Sequence, residues 1–509
     1  MRTLTIILGV LICSYSYSQR IEFISEIPGI ATDKLAKGID ANDKVSFIGI
    51  NSGPNVAGYT ILTGIIRNAN SDIEENISLK KIEKNVELED PLTLSDFYIL
   101  QSVYAGVYEN LTKNGFQYDL RNDLEEETLE LITSLEGSNR FFRDDFIEDY
   151  LYQLLHKIHP GYIKDLKPGR LNISIIKGPS PNAFTAPNGT ILLTTGLFAT
   201  IDCEAELLSI LAHEVSHFVL DHAIINYNEA QQRQQRAEFW AGVATALAAA
   251  TDVYLASQYD GYYYGGLTLG TAFLSYSIAN SIVDRLGLKY SQEQEEQADD
   301  FATGIMNYIK SDPKALASAL GKIKNHLIVN GDFYALTGNG SHPHIDSRIE
   351  KIGEFDTNQY YSENFFKTIS PLNYFNALTE FQMTHFDVAE NLVDRNINAG
   401  IGTEDDLVLK SILCRYQYND DQHNNEALKH IEVAKSLNVV RPINLYKHEA
   451  LTLLRLGRNQ EAVEAFTLYN EVLNESLTEL ENQSSRESVI NEIKWTKKMI
   501  YKTPKLYKN

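Results

Sequence analysis

The first 140 residues change from strand-like to helical patterns. Short apolar runs at 45–50 and 59–66 are bounded by Gly, Pro and Asn, which predicts strands. Acidic, leucine-rich segments between about residues 93 and 135 favour helices instead. No motif in this part of the chain indicates an activity, so residues 19–135 are predicted to form an N-terminal region of unknown role.

A mixed pattern follows between residues 141 and 220. Residues 141–158 have the spacing of an amphipathic helix, and the apolar runs at 171–176 and 191–195 predict strands. Residues 204–220 contain neither Gly nor Pro. Their apolar side chains recur with a helical period at Leu207, Leu208, Leu211, Val215 and Phe218. We therefore predict a helix that buries one face beside a small sheet.

From about residue 373 the chain becomes helical and repetitive. One segment fits a tetratricopeptide unit through Tyr446, Ala450, Leu453, Gly457, Ala462 and Phe466. The second-helix pattern recurs about 35 residues earlier at Ala427, Ile431 and Ala434, and more faintly at Ala389 and Val393. Stacked helix pairs form concave surfaces that bind polypeptides, so residues 373–509 are predicted to bind a protein partner. A plain helical bundle is the alternative.

The predicted helix at 204–220 carries the pentad His213-Glu214-Val215-Ser216-His217. Residues four apart share a helix face, so His213 and His217 can present two imidazoles to one metal ion. Glu214 lies beside them, where its carboxylate can accept a proton from a metal-bound water. A chance pentad on an ordinary amphipathic helix is the alternative unless a third ligand exists. We interpret His222 as a structural hydrogen-bonding residue.

A candidate third ligand lies in the acidic segment at 291–304. Glu295 and Asp299 are four residues apart and share a face of the helix predicted there. A catalytic zinc site needs three protein ligands and an open position, and Glu295 would complete a set of two histidines and one glutamate. Asp299 could accept the outer N–H of a ligand imidazole. A merely solvated acidic face is the alternative.

Several separated motifs occur here in one order: residues 182–197, Glu206, the pentad, and Glu295 to Asp299. Over about residues 140–355 the chain resembles the gluzincin family that contains the CAAX-prenyl peptidases and the bacterial beta-barrel-assembly-enhancing protease. The resemblance implies His213, His217 and Glu295 as ligands of one Zn²⁺ per chain, Glu214 as general base and Asp299 as the partner of a ligand histidine. Gln292 and Gln297 depart from the common family residues, and neither is a proposed ligand.

The resemblance also implies the class of the fold. We predict an α+β protein with a mainly helical zincin-type peptidase domain that contains a small sheet at 136–360, followed by an all-α tetratricopeptide-like region at 373–509. Asn182, Ala183 and Phe184 are expected near the edge strand on which extended substrate pairs, because β-augmentation recognises backbone rather than sequence.

A His-Pro segment followed by Arg348-Ile is a further family feature. The resemblance implies that His342 approaches the metal and gates it, with Arg348 in the same regulatory segment. An ordinary surface loop in which Arg348 pairs with a carboxylate is the alternative.

The chain begins with one basic residue, about ten apolar residues and a small-x-small site that ends at Ser18. This pattern predicts a signal peptide at 1–18 that is cleaved, and hence a periplasmic or secreted protein. Cleavage would leave Cys203 and Cys414, for which a disulfide is not indicated. Two uncharged runs, 239–251 and 261–283, are interpreted as buried or surface-lying helices rather than membrane spans.

The net charge of −23 argues against nucleic acid as a partner, because such binding requires basic residues against phosphates. The last sixteen residues differ, with six lysines and no acid. We interpret them as a solvated tail, although peripheral contact with a membrane stays open.

The leading hypothesis is a zinc-dependent metalloendopeptidase that cleaves polypeptides. By resemblance its substrates would be unfolded or misassembled envelope proteins, in quality control of the envelope or outer membrane. The alternative is a periplasmic chaperone or adaptor that holds clients through its repeats with little proteolysis.

Overall fold

The structure is a computed structural model that describes residues 19–54, 60–89, 93–104, 116–158, 171–226, 290–329, 344–353, 355, 360–437, 443–479 and 483–505. The predicted signal peptide, the two uncharged runs and His342 lie outside the described residues. Helices predominate, and two small sheets accompany them, so the predicted α+β class is confirmed.

The N-terminal region is built on a five-stranded antiparallel sheet with the order β4-β3-β2-β1-β5. The strands are β1 (Gln19–Ala31), β2 (Lys44–Pro54), β3 (Thr60–Asn68), β4 (Glu74–Ser78) and β5 (Val86–Leu88). Helix α1 (Leu79–Asn85) lies between β4 and β5 and buries Ile82 against the sheet. Gly64 permits this packing, because a Cβ there would lie 2.2 Å from Ile82 Cδ1.

Two helices connect this sheet to the middle of the chain: α2 (Leu94–Tyr104) and α3 (Phe116–Gly137). Tyr98 of α2 is fully buried, and its hydroxyl donates to the carbonyl of Ile158 over 2.7 Å. The N-terminal region is thereby fixed to the core of the middle region.

The middle region contains the second sheet, with the order β6-β7-β9-β8. The strands are β6 (Phe141–Phe142), β7 (Asn172–Ile176), β8 (Ala183–Thr185) and β9 (Thr190–Thr194). The central pair, β7 and β9, is parallel, whereas β6 and β8 are antiparallel edge strands.

Seven helices surround this sheet in the part of the chain that the structure describes. They are α4 (Asp145–Ile158), α5 (Thr195–Thr200), α6 (Glu204–Val219), α7 (Gln292–Tyr308), α8 (Ala315–Val329), α9 (Ile345–Ile352) and α10 (Glu363–Thr368). Every residue of α6 from Glu206 to Val219 is buried, so this helix is central rather than half-exposed.

The C-terminal region is a succession of helices. They are α11 (Ser370–Gln382), α12 (Phe386–Asn398), α13 (Glu404–Gln417), α14 (Asp421–Leu437), α15 (Leu445–Arg455), α16 (Asn459–Glu479) and α17 (Gln483–Lys502). Consecutive helices pack as pairs, and the small residues Ala427, Ala450 and Ala462 are fully buried between them. This region fits tetratricopeptide-like repeats.

The repeats contact the middle region beside the start of α6. Asn376 donates to the Thr195 carbonyl over 2.7 Å, and Arg395 pairs with Asp202 at 3.0 Å. Asp202 and Glu206 also share Lys322, at 2.7 and 2.8 Å. This partly buried charge network joins the repeats to the start of the helix that carries the pentad.

The structure describes the two cysteines and the C-terminal lysine run that the sequence singled out. Cys203 and Cys414 are buried and unpaired with each other, as free thiols. The lysine run interpreted as a tail is instead helical from Lys494 to Lys502, within α17. Among the described helices, none combines the length and apolar character needed to cross a bilayer.

Candidate metal centre

The two pentad histidines face each other on α6. One turn separates His213 from His217, and their Nε2 atoms lie 3.0 Å apart. Both side chains are almost fully buried. Two imidazole nitrogens that approach so closely without solvent are a costly arrangement unless a cation or a shared proton lies between them.

Glu295 completes a three-residue cluster from the neighbouring helix α7. Its carboxylate oxygens lie 3.5 Å from His213 Nε2 and 3.5 Å from His217 Nε2. Ser291 and Gln294 form a capping box that fixes the start of α7 one turn before the carboxylate. These three are the cluster in the described chain that could hold a metal ion.

The spacing and charge of the cluster fit zinc. Zn–N bonds of about 2.0–2.1 Å in a tetrahedral site place neighbouring ligand atoms about 3.3 Å apart. The observed separations of 3.0, 3.5 and 3.5 Å bracket that value. Three buried carboxylates, Glu214, Glu295 and Asp299, face one guanidinium, Arg348. Carboxylates outnumber the guanidinium at this point, and a divalent cation would offset the excess of acidic groups.

Asp299 fixes the orientation of the first imidazole. Its Oδ1 lies 2.9 Å from His213 Nδ1, which leaves His213 Nε2 directed at Glu295 and His217. Burial lowers the pKa of His213, but its hydrogen bonds to Asp299 and Glu295 outweigh burial and raise that pKa to about 9. Burial raises the pKa of Asp299, yet the Arg348 charge and the His213 hydrogen bond outweigh it and lower that pKa.

A second buried histidine orients His217. His217 Nδ1 lies 2.8 Å from His222 Nδ1, and His222 Nε2 lies 3.1 Å from Gln297 Oε1. Burial lowers the pKa of His222 to about 4, so this ring is neutral near pH 7 and has one donor and one acceptor nitrogen. If His222 Nε2–H donates to Gln297, its Nδ1 must accept from His217, and His217 Nε2 keeps a free lone pair.

An aromatic ring covers the same imidazole. Tyr290 stacks on His217 with ring centroids 3.8 Å apart and an interplanar angle of 19°. The tyrosine is buried, which raises the pKa of its hydroxyl well above the usual value and keeps it protonated. The stack excludes water from one face of His217.

Arg348 is a buried part of the centre and not a surface residue. From α9 it binds Asp299 through two bonds, Nε to Oδ2 at 2.8 Å and Nη2 to Oδ1 at 2.7 Å. Nη1 also makes a close ionic contact of 2.6 Å with Glu295 Oε2, at an angle that is poor for a hydrogen bond. The nearby carboxylates Glu295 and Asp299 raise the pKa of Arg348 against the lowering effect of its burial.

The edge strand β8 holds the pentad glutamate. Thr185 Oγ1 lies 3.0 Å from both the carbonyl oxygen and Oε2 of Glu214, and it can donate to either. Glu214 is 1% exposed, and its carboxylate lies beside the cluster without being one of its three members. Glu214 is therefore a buried carboxylate that is distinct from the three candidate ligands.

Asn182, Ala183 and Phe184 lie where the sequence predicted an edge. Ala183 and Phe184 belong to β8, which is the last strand of the described sheet and pairs there with Leu193 and Leu192 of β9. Asn182 fixes the start of the strand through Thr194, with its N–H donating to Oγ1 over 2.8 Å. β8 contacts α6, so this side of the described sheet runs beside the centre.

Residues 156–356 match peptidase family M48. This part of the chain is an M48 peptidase domain. The match encloses all of the residues that converge on the centre, from Thr185 to Arg348.

Several curated proteins are similar to part of this chain. The beta-barrel assembly-enhancing protease of Escherichia coli (strain K12) is 25% identical over 197 residues, which are 38% of this chain and 36% of that protein. Its counterpart in Yersinia pestis is 27% identical over 34% of this chain and 32% of its own. The mitochondrial metalloendopeptidase OMA1 of Bos taurus is 39% identical over 51 residues, 10% of each chain. The chain thus matches about a third of the first relatives' length.

Three contributors to the M48 centre were not anticipated from sequence. Thr185 lies within the 182–197 motif, but the sequence did not indicate its contact with Glu214. Nothing near Tyr290 in the sequence indicates its stacking on His217. Gln297 was noticed only as a departure from the family pattern, and helix periodicity gave no signal for it, because residues two apart on a helix do not share a face; its contact with His222 is seen only in the structure.

Proposed function

We propose that this protein is a zinc-dependent metalloendopeptidase. The observation that carries the proposal is the convergence of His213, His217 and Glu295 from two helices on one point. The M48 domain supports the metal-dependent peptidase class. The donor set of two imidazoles and one carboxylate supports zinc, because catalytic zinc sites combine three protein ligands with an open position.

A bound zinc ion would polarise the scissile carbonyl and lower the pKa of water to about 7. The residues of the chain supply the proton transfers. Glu214 would accept the proton of the attacking water and pass it to the leaving amine. Thr185 would hold the Glu214 carboxylate in position through its hydroxyl, at 3.0 Å. Asp299 and Arg348 would act indirectly, as positioning residues for His213 and Glu295.

We infer that substrate lies as an extended strand along β8, the edge strand of the described sheet. This call concerns Asn182, Ala183 and Phe184, and it is supported by the contact of β8 with α6, the helix that carries the pentad. Backbone pairing gives affinity with little demand on sequence. Unfolded or misassembled polypeptides are therefore the substrates that fit best, since folded segments cannot add to a strand.

For the biological role we propose quality control of envelope or outer-membrane proteins. The names of the relatives support it, because two of them are beta-barrel assembly-enhancing proteases. The predicted signal peptide supports export to the periplasm, and sequencing of the exported protein should then find Gln19 at its start. The tetratricopeptide-like helices would recruit substrate or a partner protein beside the M48 domain.

The test compares wild type with Glu214→Gln in cleavage of an unfolded protein such as casein. We expect cleavage to fall by about 10²–10⁴-fold, as for loss of a general base, while zinc content stays unchanged. Glu204→Gln, on the same helix but paired with Lys157 at the surface, is the matched control and should cleave normally. Full cleavage by Glu214→Gln would refute the general-base role. Zinc-loaded wild type that binds unfolded clients without cutting them would favour the chaperone alternative.

A further inference from the structure

One face of the last described helix carries unpaired positive charge on a strongly acidic protein. We call Ile490, Lys494, Lys497, Lys498, Tyr501 and Lys502 of α17 the lysine face. Successive residues of an α-helix turn by about 100°, so these positions fall within less than half of the circumference. The opposite side of α17 buries Val489, Ile493 and Thr496 in the repeat region.

All four lysines of this face are exposed to solvent. No carboxylate of the described chain lies within ion-pair distance of them. Lysines on the preceding helices behave differently: Lys410 pairs with Asp394 at 2.7 Å, and Lys447 pairs with Glu492 at 2.6 Å. The repeat region therefore pairs these two less exposed lysines internally, whereas the four exposed lysines of the face stay available to a partner.

The charge of the whole chain makes this concentration significant. The sequence has 68 acidic and 45 basic residues, yet the stretch of α17 from Lys494 to Lys502 contains four lysines and no acid. Glu487, one turn before the face, is the nearest acidic side chain on the same side of the helix. An anionic partner would be repelled by most of the surface and attracted here, so the face would also orient the molecule.

The residue types favour a membrane surface over a protein. Protein interfaces are enriched in Arg and depleted in Lys, because the planar guanidinium pairs well with carboxylates. The lysine face has no Arg. It does contain Tyr501, 67% exposed, among the lysines, and Ile490, 37% exposed, one turn before the first of them. Lysines with interspersed aromatic and apolar residues on one helical face are typical of helices that lie on anionic lipid.

We propose that α17 is a peripheral docking site for an anionic phospholipid surface. The lysines would contact headgroups electrostatically, and Tyr501 and Ile490 would lie at the interfacial level. This proposal goes beyond peptidase activity and does not depend on it. It would hold the protein beside a bilayer with the repeats adjacent to the lipid.

The experiment measures co-sedimentation of the full chain with vesicles of three parts phosphatidylcholine to one part phosphatidylglycerol, against phosphatidylcholine alone. Each lysine near an anionic surface changes partitioning by about fivefold. The triple variant Lys494→Gln, Lys497→Gln, Lys498→Gln should therefore bind on the order of a hundredfold more weakly than wild type. About 1 M salt, with a Debye length of about 3 Å, should abolish wild-type binding.

The matched control removes the same charge elsewhere: Lys37→Gln, Lys80→Gln, Lys84→Gln, all exposed on the N-terminal region. We expect binding within twofold of wild type for this control and unchanged circular dichroism for both variants. Equal loss in both triple variants, or equal binding to neutral and anionic vesicles, would overturn the proposal. Binding of soluble poly-glutamate through the lysine face, without vesicle binding, would overturn it in favour of an acidic protein partner.

Discussion

Removal of the Gln297 acceptor should weaken metal binding without touching a ligand. Two consecutive hydrogen bonds connect Gln297 to His222 and His222 to His217. Gln297 Oε1 lies 3.1 Å from His222 Nε2, and His222 Nδ1 lies 2.8 Å from His217 Nδ1. The proton position in the first bond determines the proton position in the second. The Gln297→Leu substitution would leave His222 Nε2–H buried without its acceptor. The alternative is a switch of the His222 tautomer. That switch would place a proton between the two Nδ1 atoms and move the His217 proton to Nε2, where the metal must bind.

The cost can be worked from this geometry. A buried donor without a partner costs about 1–3 kcal/mol, and about 1.4 kcal/mol corresponds to tenfold in affinity. We therefore expect the zinc dissociation constant of Gln297→Leu to rise by roughly 10–100-fold, the range found when outer partners of ligand histidines are removed. Gln297→Glu keeps an acceptor oxygen at this position and should stay within a few-fold of wild type.

The assay is competition of the apoprotein against a fluorescent zinc chelator, with thermal melting of each apo variant as the folding control. If Gln297→Leu binds zinc as tightly as wild type, Gln297 does not control the His217 tautomer through His222. Equal losses in the Leu and Glu variants would refute that control as well, because the role would then be steric and not that of an acceptor.

Two further predictions concern the scaffold around the centre. Thr185→Val keeps the shape of the side chain but removes the hydrogen bond to Glu214, which for a carboxylate acceptor is worth about 1.5–3 kcal/mol. Steady-state peptide kinetics should therefore show kcat reduced by roughly 10–100-fold with KM nearly unchanged. A change confined to KM would contradict the role of Thr185 in positioning Glu214. Gly196→Ala would place a Cβ 2.0 Å from the Pro179 carbonyl oxygen. Because such overpacking costs about 3 kcal/mol, the melting temperature should fall by roughly 6–12 °C. Gly137→Ala, where a Cβ meets nothing within 4 Å, is its control, and equal melting of the two variants would contradict the packing argument.

Local periodicity was enough to predict the helix that carries the pentad and the helix that carries Glu295. Spacings of four residues put His213 beside His217, and Glu295 beside Asp299, before any tertiary information. The contacts between different helices and strands were harder to predict from the sequence. Thr185 reaches Glu214 because β8 pairs with β9 in one register, and register depends on contacts that are distant in sequence.

The burial of Arg348 was also not predictable from local sequence. Its sequence context, after a His-Pro segment, favoured a regulatory or surface position, whereas the structure buries it between Asp299 and Glu295. Burial of a guanidinium is favourable only when carboxylates are already converged, and the sequence does not show that convergence. In the N-terminal region only β2 and β3 were predicted among the five described strands, and the order β4-β3-β2-β1-β5 depends on pairing between segments that are apart in the chain.

The central claim is that His213, His217 and Glu295 together bind one zinc ion. Anomalous diffraction from crystals grown with zinc, collected above and below the zinc absorption edge, tests it most directly. We expect a single strong peak within bonding distance of both Nε2 atoms and a Glu295 oxygen, and we expect His217→Ala to lose it. A peak at another place, or a Glu295 side chain that lies away from the peak, would show that these three residues are not the ligand set.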